Sequence, residues 1–279
     1  MNTKKLAIVG YGQRGSIFAN YALQNPEEFV VTAITDIDEN RRALASSKHD
    51  CPIFSDYHEF IEAGIEADIV AVATQDKEHR EHAIACMEAG YDILLEKPIA
   101  TSLEDCEAIY ETSVKLGRKV IVCHVLRYTP FYSKLKEVVD SGALGDIVTM
   151  NTTECVGYYH QAHSFVRGPW HNSVESSPMI LAKCCHDMDM IRYIIGKKCL
   201  SVSSFGGLTH FTKENAPECS AEYCSDCKYT DCVYKAQTIY EREEFFRGYF
   251  TTDISNEGNW REKLVHSPYD KCVTSATTM

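Results

Sequence analysis

Gly10, Gly12 and Gly15 stand in the spacing G-x-G-x-x-G, directly after the apolar run "KKLAIV" and at the head of a helix-like stretch, "SIFANYALQ". Alone, the spacing says little. Between a strand and a helix each glycine has a use: the tight turn, close approach of backbone to a pyrophosphate, and close helix–strand packing. The helix N-terminus then offers unpaired N–H groups to phosphate oxygens. Asp36 closes the next β-branched run, "FVVTAITD", where a carboxylate can accept hydrogen bonds from both hydroxyls of a ribose. It would repel a 2′-phosphate, which favours NAD over NADP. Arg41 and Arg42 keep NADP open, because a nearby arginine can accommodate that phosphate.

A second group lies in "DILLEKPIA", from Asp92 to Ala100. Three apolar residues are followed by Glu96, Lys97 and Pro98. A buried strand that ends in charge is either leaving the interior or entering a site. At the carboxyl end of a parallel strand, Lys97 would stand where ligands of doubly wound sheets bind. The alternative, Lys97 paired with Glu96 at a solvent edge, is awkward because adjacent strand residues point to opposite faces. The Lys97–Pro98 peptide can be cis. In "SPMILAKCCHDMDMIRYIIG", read as one long helix started by Pro178 and stopped by Gly196, Lys183, His186 and Asp189 fall at i, i+3 and i+6 on roughly one side. An imidazole there can take a proton near neutral pH, Asp189 can orient it and Lys183 can project towards a substrate. A core histidine in a helix interface is the other reading.

Polar and aromatic residues gather in two more places. "CHVLRYTPF" supplies His124, Arg127 and Tyr128, and "GYYHQAHSFVRGPW" supplies Tyr159, His160, His163, Arg167 and Trp170. Hydrogen-bonding side chains beside aromatic surfaces suit hydroxyl-rich sugars; an ordinary surface loop can have the same mixture. Finally, Cys219, Cys224, Cys227 and Cys232 follow C-x4-C-x2-C-x4-C, with Cys272 as an alternative fourth ligand. Thiols at this density predict a closed structural zinc site that staples a loop without its own core. Plant-type iron–sulfur ligation is the second reading, and free thiols the third.

The elements that position these residues alternate. Strand-like "KKLAIV", "FVVTAITD", "ADIVAVAT", "YDILLEK" and "KVIVCHV" are separated by helix-like stretches. That order predicts an α/β fold, an N-terminal Rossmann domain with a doubly wound parallel sheet, over residues 1–123. Over 124–279 the pattern changes. "DIVTMNTTECVGYY" and "CLSVSSFGG" read as strands around the long helix, so an α+β domain with an open, mostly antiparallel sheet is expected, with a Cys-rich insertion at about 211–235. The 279 residues, 44% hydrophobic and 24% charged, can build such cores. A net charge of -12 argues against a nucleic-acid partner. No apolar run is long enough to span a bilayer, and no signal-peptide pattern is visible, so a cytoplasmic protein with mostly reduced cysteines is expected.

The stretches "AIVGYGQRG", "ADIVAVATQDKEHREHAIACMEAGYDILLEKPIATSLED", "LRYTPFYSKLKEVVDSGALGDI" and "HDMDMIRYIIG" together resemble the Gfo/Idh/MocA family (glucose–fructose oxidoreductase, inositol dehydrogenase, MocA) from residue 6 to about 205. E-K-P is its most specific mark. The resemblance implies a nicotinamide cofactor held between a Rossmann domain and an α/β domain, and sugar, cyclitol or related polyol substrates. It implies that Lys97 is the active-site lysine, polarising the reacting hydroxyl, and that His186 handles the proton, with Lys183 as a further catalytic candidate. The cofactor site is then Gly10, Tyr11, Gly12, Gln13, Arg14, Gly15, Asp36, Thr74, His79, Glu96 and Lys97. His124, Arg127, Tyr128, Tyr159, His163, Arg167 and Trp170 are the substrate candidates. The sequence departs from the family pattern at Ala182, where an aspartate usually stands four residues before the histidine.

The expected activity is NAD(P)-dependent hydride transfer on a sugar, sugar derivative or cyclitol. Two other readings stay open: redox-assisted elimination or hydrolysis of a glycoside with retained NAD, and a non-catalytic dinucleotide-binding or interaction protein. Family members usually continue with further strands, whereas this sequence ends in the polar "KCVTSATTM". An incomplete second sheet with an unpaired edge is therefore expected, with any homo-oligomer formed through that sheet altered.

Overall fold

A computed structural model describes residues 3–249 and 257–274. The chain packs as two units, Met1–Cys123 and His124–Met279.

The first unit is built on six parallel strands: β1 (Lys4–Val9), β2 (Phe29–Thr35), β3 (Ile53–Phe54), β4 (Ile69–Val72), β5 (Asp92–Leu95) and β6 (Val120–Val122). Their order is β3-β2-β1-β4-β5-β6. Chain direction across the sheet reverses between β1 and β4, which opens a crevice at their carboxyl ends. The crossovers contain α1 (Gln13–Gln24), α2 (Glu39–Lys48), α3 (Tyr57–Glu62), α4 (His79–Glu88) and α5 (Leu103–Leu116). Several boundaries follow from single residues. Asp38 caps α2 by accepting from the amides of Asn40 and Arg41, Asp56 caps α3, and Ser102 caps α5. Gly117 ends α5 at φ +64°.

Strand alternation divides the core between the two faces of the sheet. Ala7, Val9, Val70, Val72, Ile93 and Leu95 pack with Phe60, Ala83, Met87 and Ile109. Leu6, Ile8, Ile34 and Ala71 pack with Ala19 and Ala45. Both faces are covered, so the strands read as continuous apolar runs. β3 and α3 are absent from the expected order: two residues of strand are too short for any periodicity.

The second unit differs from expectation. It contains α6 (Pro130–Asp140), α7 (Tyr158–His160), α8 (Met179–Ala182), α9 (Cys185–Ile195), α10 (Ala236–Arg242) and α11 (Glu257–Leu264). A π-helical turn, Gln161–Arg167, follows α7. Among its described residues no sheet forms; the only bridge assigned outside the strands is antiparallel, Tyr223 to Lys271. The stretches expected as strands, 146–159 and 199–207, run largely in the open, with Val148 89%, Leu200 97% and Phe205 97% exposed. A strand has no hydrogen bonds of its own, and β-propensity yields a ladder only where another strand takes its N–H and C=O groups. The expected long helix is broken between α8 and α9, at Lys183 and Cys184.

The core of this unit is instead a set of rings and small residues. Ala162 and Val166 of the π-turn meet Tyr240, Trp260, Leu264 and Tyr269. The C-terminal stretch was expected to bury little, yet Cys272, Val273 and Thr274 are buried. Residues 275–279 of that tail lie outside the described residues. No helix among the described residues is long and apolar enough to cross a membrane.

Candidate active site

At the carboxyl edge of the first sheet, Gly10 follows β1 with φ +95°, a conformation that favours glycine. A Cβ on it would lie 2.7 Å from the carbonyl oxygen of Ala73. A Cβ on Gly15 would lie 1.9 Å from the carbonyl oxygen of Gly10, so this position packs α1 onto the turn. Gly12 is different: the only atom a Cβ would meet is Arg41 Nη1 at 3.6 Å. The turn is therefore crowded where helix and strand meet and open where α1 begins. The first turn of α1 carries no acidic residue. Open room, first-turn amides and no acidic residue within that turn fit a diphosphate.

Asp36 completes this half. Its side chain is 5% exposed, yet both oxygens are held: Oδ2 accepts from the amide of Tyr11 at 2.7 Å and Oδ1 from that of Asp38 at 2.8 Å. Each oxygen keeps a lone pair for a ribose hydroxyl. Tyr11 itself is buried, its hydroxyl 2.9 Å from His49 Nε2, so its contribution at this edge is the backbone amide that anchors Asp36. Gln13 and Arg14 form the first turn of α1, and Thr74 follows β4 with its hydroxyl 3.0 Å from His82 Nδ1.

Beyond β5, Glu96 is buried. Arg14 Nε donates to its Oε1 at 2.6 Å, and the amide of Lys97 donates to its Oε2 at 3.2 Å. The solvent-edge pairing of Lys97 with Glu96 is thus not what forms; the carboxylate ties the E-K-P turn to the glycine-rich helix. The Lys97–Pro98 peptide is cis. His79 was expected at the cofactor. It is 1% exposed, with Nδ1 2.8 Å from the carbonyl oxygen of Pro98 and Nε2 3.2 Å from that of Thr74. It supports the turn from behind, and nothing about its residue type distinguished that position from one facing the ligand.

In the second unit, Asp189 does not turn to His186. Arg127 grips its carboxylate with Nε, at 2.8 Å, and with Nη2, and lies 4.9 Å over the Tyr193 ring. That hydrogen bond raises the Arg127 pKa above its usual value. His124 Nδ1 is 3.8 Å from Asp189 Oδ2, and its ring meets that of His186 edge-on at 6.0 Å. Lys183 pairs with Glu154 at 3.3 Å. A kink at Lys183–Cys184 between α8 and α9 means that the i, i+3, i+6 side expected of one helix is not continuous. Arg127 and Glu154 were not foreseen in these pairings, since residues 62 and 29 apart in sequence give no local signal.

Of the other substrate candidates, Tyr128 is 77% exposed and Trp170 is half-buried. Tyr159 packs against the second core. His160 is half-buried, with its ring 5.7 Å from that of Phe246. His163 and Arg167 are corrections. His163 is fully buried, stacked between Phe246 and Tyr269 at 4.2 and 5.0 Å, with Nδ1 2.8 Å from the Tyr240 hydroxyl. Burial lowers its pKa to about 3. Arg167 donates to the carbonyl oxygens of Lys271 and Tyr234, both at 2.6 Å, and to Cys224 Sγ at 3.3 Å. Both residues hold the fold together.

The cysteine reading is also corrected. All thirteen thiols are free, and among the described residues no three His, Cys, Asp or Glu side chains come together as a metal site. Cys219 is exposed, Cys224 and Cys272 are buried, and Cys227 and Cys232 are half-buried. Cys224 faces the Arg167 guanidinium, and Cys272 faces the Thr274 hydroxyl at 3.2 Å. A cation beside one sulfur and a hydroxyl beside another leave no shared thiolate cage for zinc or for an iron–sulfur cluster. The staple is Asp270. This fully buried carboxylate accepts from the Ser225 amide (3.2 Å) and hydroxyl (2.6 Å), from Gln237 Nε2 (2.9 Å) and from the His266 amide (3.0 Å).

Comparison with known proteins bears on both units. Residues 4–124 match the model of an oxidoreductase family with an NAD-binding Rossmann fold, and residues 132–230 match that of a GFO/IDH/MocA C-terminal domain. Inositol 2-dehydrogenase 2 of Saccharopolyspora erythraea is 29% identical over 204 residues, covering 72% of this chain and 57% of that protein. Inositol 2-dehydrogenase 1 of the same organism is 30% identical over 205 residues, with the same coverage. The scyllo-inositol dehydrogenase of Lactobacillus casei, solved with NAD(H) and scyllo-inositol, has a similar fold: TM-score 0.61 at 24% identity, over 70% of this chain and 57% of that one. The chain thus spans a little over half the length of the curated relatives it matches.

Proposed function

Because the chain belongs to the Gfo/Idh/MocA oxidoreductase family, we propose that it is an NAD-dependent dehydrogenase acting on a hydroxyl of a sugar, sugar derivative or cyclitol. One observation carries the reading: the carboxyl edge of the first sheet gathers open room at Gly12, an anchored carboxylate at Asp36, and a lysine just past β5 whose neighbouring carboxylate is already taken by Arg14. The names of the relatives, inositol dehydrogenases, support a cyclitol-like substrate.

Bound NAD supplies the hydride acceptor. Lys97 donates a hydrogen bond to the substrate oxygen and stabilises alkoxide character as hydride leaves. His186 accepts the hydroxyl proton. Asp189 is held by Arg127 and so positions that arginine, not the imidazole. Tyr128 and Trp170 offer the aromatic surfaces against which a ring with many hydroxyls can pack.

The test is NADH formation, followed by fluorescence, with a panel of cyclitols and sugars. Lys97→Met is expected to lower kcat by about 10²–10³. Cofactor binding without turnover on any polyol, or turnover untouched by Lys97→Met, would overturn the reading.

A further inference from the structure

We propose that His124 is a proton-relay residue, which takes from His186 the proton accepted in each turnover; the inference rests on the dehydrogenase reading above. Both rings belong to the second unit. His124 precedes the turn Val125–Tyr128, and His186 stands in the first turn of α9. Their rings meet edge-on, with centroids 6.0 Å apart and planes at 81°. Asp189 Oδ2 lies 3.8 Å from His124 Nδ1. A series of imidazole, imidazole and carboxylate thus runs from His186 through His124 to Asp189.

Asp189 is not the proton's destination. Arg127 grips both its oxygens, one with Nε at 2.8 Å and the other with Nη2, so the carboxylate stays an anion. A fixed anion beside one of two imidazoles makes that imidazole the better place for a proton. The His124 side chain is 19% exposed, which leaves a way out to solvent. The other charges around the pair are engaged elsewhere. Asp187 of α9 bonds the Cys184 thiol, and Lys183 pairs with Glu154. Lys136 of α6 lies 5.5 Å over the Tyr193 ring and pairs with Asp140. In the reaction, the substrate O–H bond breaks as hydride leaves to NAD, and an N–H bond forms on His186. That N–H bond then breaks and one forms on His124, across a bridging water. His124 releases the proton to solvent, and His186 is a base again.

The experiment measures kcat and KM on the full chain, with NAD and the polyol of the panel that turns over fastest, for wild type, His124→Ala and His124→Gln. Both variants are expected to lose at least about tenfold in kcat while KM stays within about threefold. Free imidazole is expected to raise kcat of His124→Ala by at least about threefold. A glutamine can hydrogen-bond but carries no proton, so it would replace a histidine that only supports its neighbours. A second readout needs no turnover. The two rings are titrated by proton NMR, assigned with His124→Gln and His186→Gln. Two like charges at this separation repel, so each midpoint is expected to rise by about half a pH unit or more when the other ring is removed. Wild-type kcat in His124→Gln, no rescue by imidazole of a folded His124→Ala, or midpoints that stay fixed overturns the inference. If wild type turns over no polyol, the dehydrogenase reading falls and the relay with it; if it turns over and any of these results is found, only the relay falls.

Discussion

Glu96 decides what its neighbour is for. Its side chain is 7% exposed and would be costly to bury alone, but Arg14 and the Lys97 amide hold both oxygens. These bonds tie the E-K-P turn to α1. Arg14→Ala leaves the buried carboxylate without its cation; because Arg14 is partly exposed, an expected destabilisation of about 1–2 kcal/mol, read from urea unfolding, is appropriate. Dinucleotide affinity should fall with it, since the same arginine opens α1. His163 gives the clearest pH effect. Its folded pKa, about 3, lies below the value of the unfolded chain, so the unfolded state binds the extra proton between the two. Stability from its burial is complete above the unfolded value and is lost as pH falls from there towards 3. In that window the expected slope from this group is about 1.4 kcal/mol per pH unit, and His163→Phe should remove it from the pH dependence of unfolding free energy. Identical slopes in variant and wild type would show that the ring titrates normally.

At the scale of elements, two buried polar residues fasten the described part of the second unit. Arg167, from the π-turn, reaches Tyr234, Lys271 and Cys224; Asp270 joins Ser225, the α10 residue Gln237 and His266. Together they close the cysteine-rich loop between α10 and the stretch after α11. Asp270→Ala strands several buried donors at once, and an expected loss of about 3 kcal/mol or more in the unfolding free energy follows. A strong chelator is expected to leave the melting midpoint within about 1 °C, because a structural zinc site would have contributed its binding energy to folding. A large drop, or zinc retained through dialysis in elemental analysis, would restore the thiolate cage. The kink between α8 and α9 belongs to the same scale. Lys183 sits at that kink and is bridged to Glu154, whereas His186 starts the second helix.

At the scale of the molecule, each unit has its own core, and the dinucleotide edge belongs to the first. NADH at a hundred times its dissociation constant should stabilise the first unit by about 2.7 kcal/mol and move one calorimetric transition upward. A single transition that NADH moves as a whole would show the units unfolding as one. The reading of the first unit was legible in the order of residues. Its apolar runs, caps and glycine spacing are local, and strand–helix alternation leaves few topologies once crossovers are right-handed. Hence five of the six parallel strands and the turn at Gly10 could be expected, while the two-residue β3 could not. The second unit was misread where pairing decides structure. "DIVTMNTTECVGYY" has strand composition but no strand partner among the described residues, and four cysteines in a row of spacings say nothing of where their sulfurs point. The sequence by itself determined the glycine turn, the acidic end of β2 and the lysine after β5, because turn chemistry and side-chain period act over a few residues. Only the tertiary structure decided that Glu96 serves Arg14, that Asp189 serves Arg127 and that His163 is core, because hydrogen bonds and burial are settled between residues far apart in the chain.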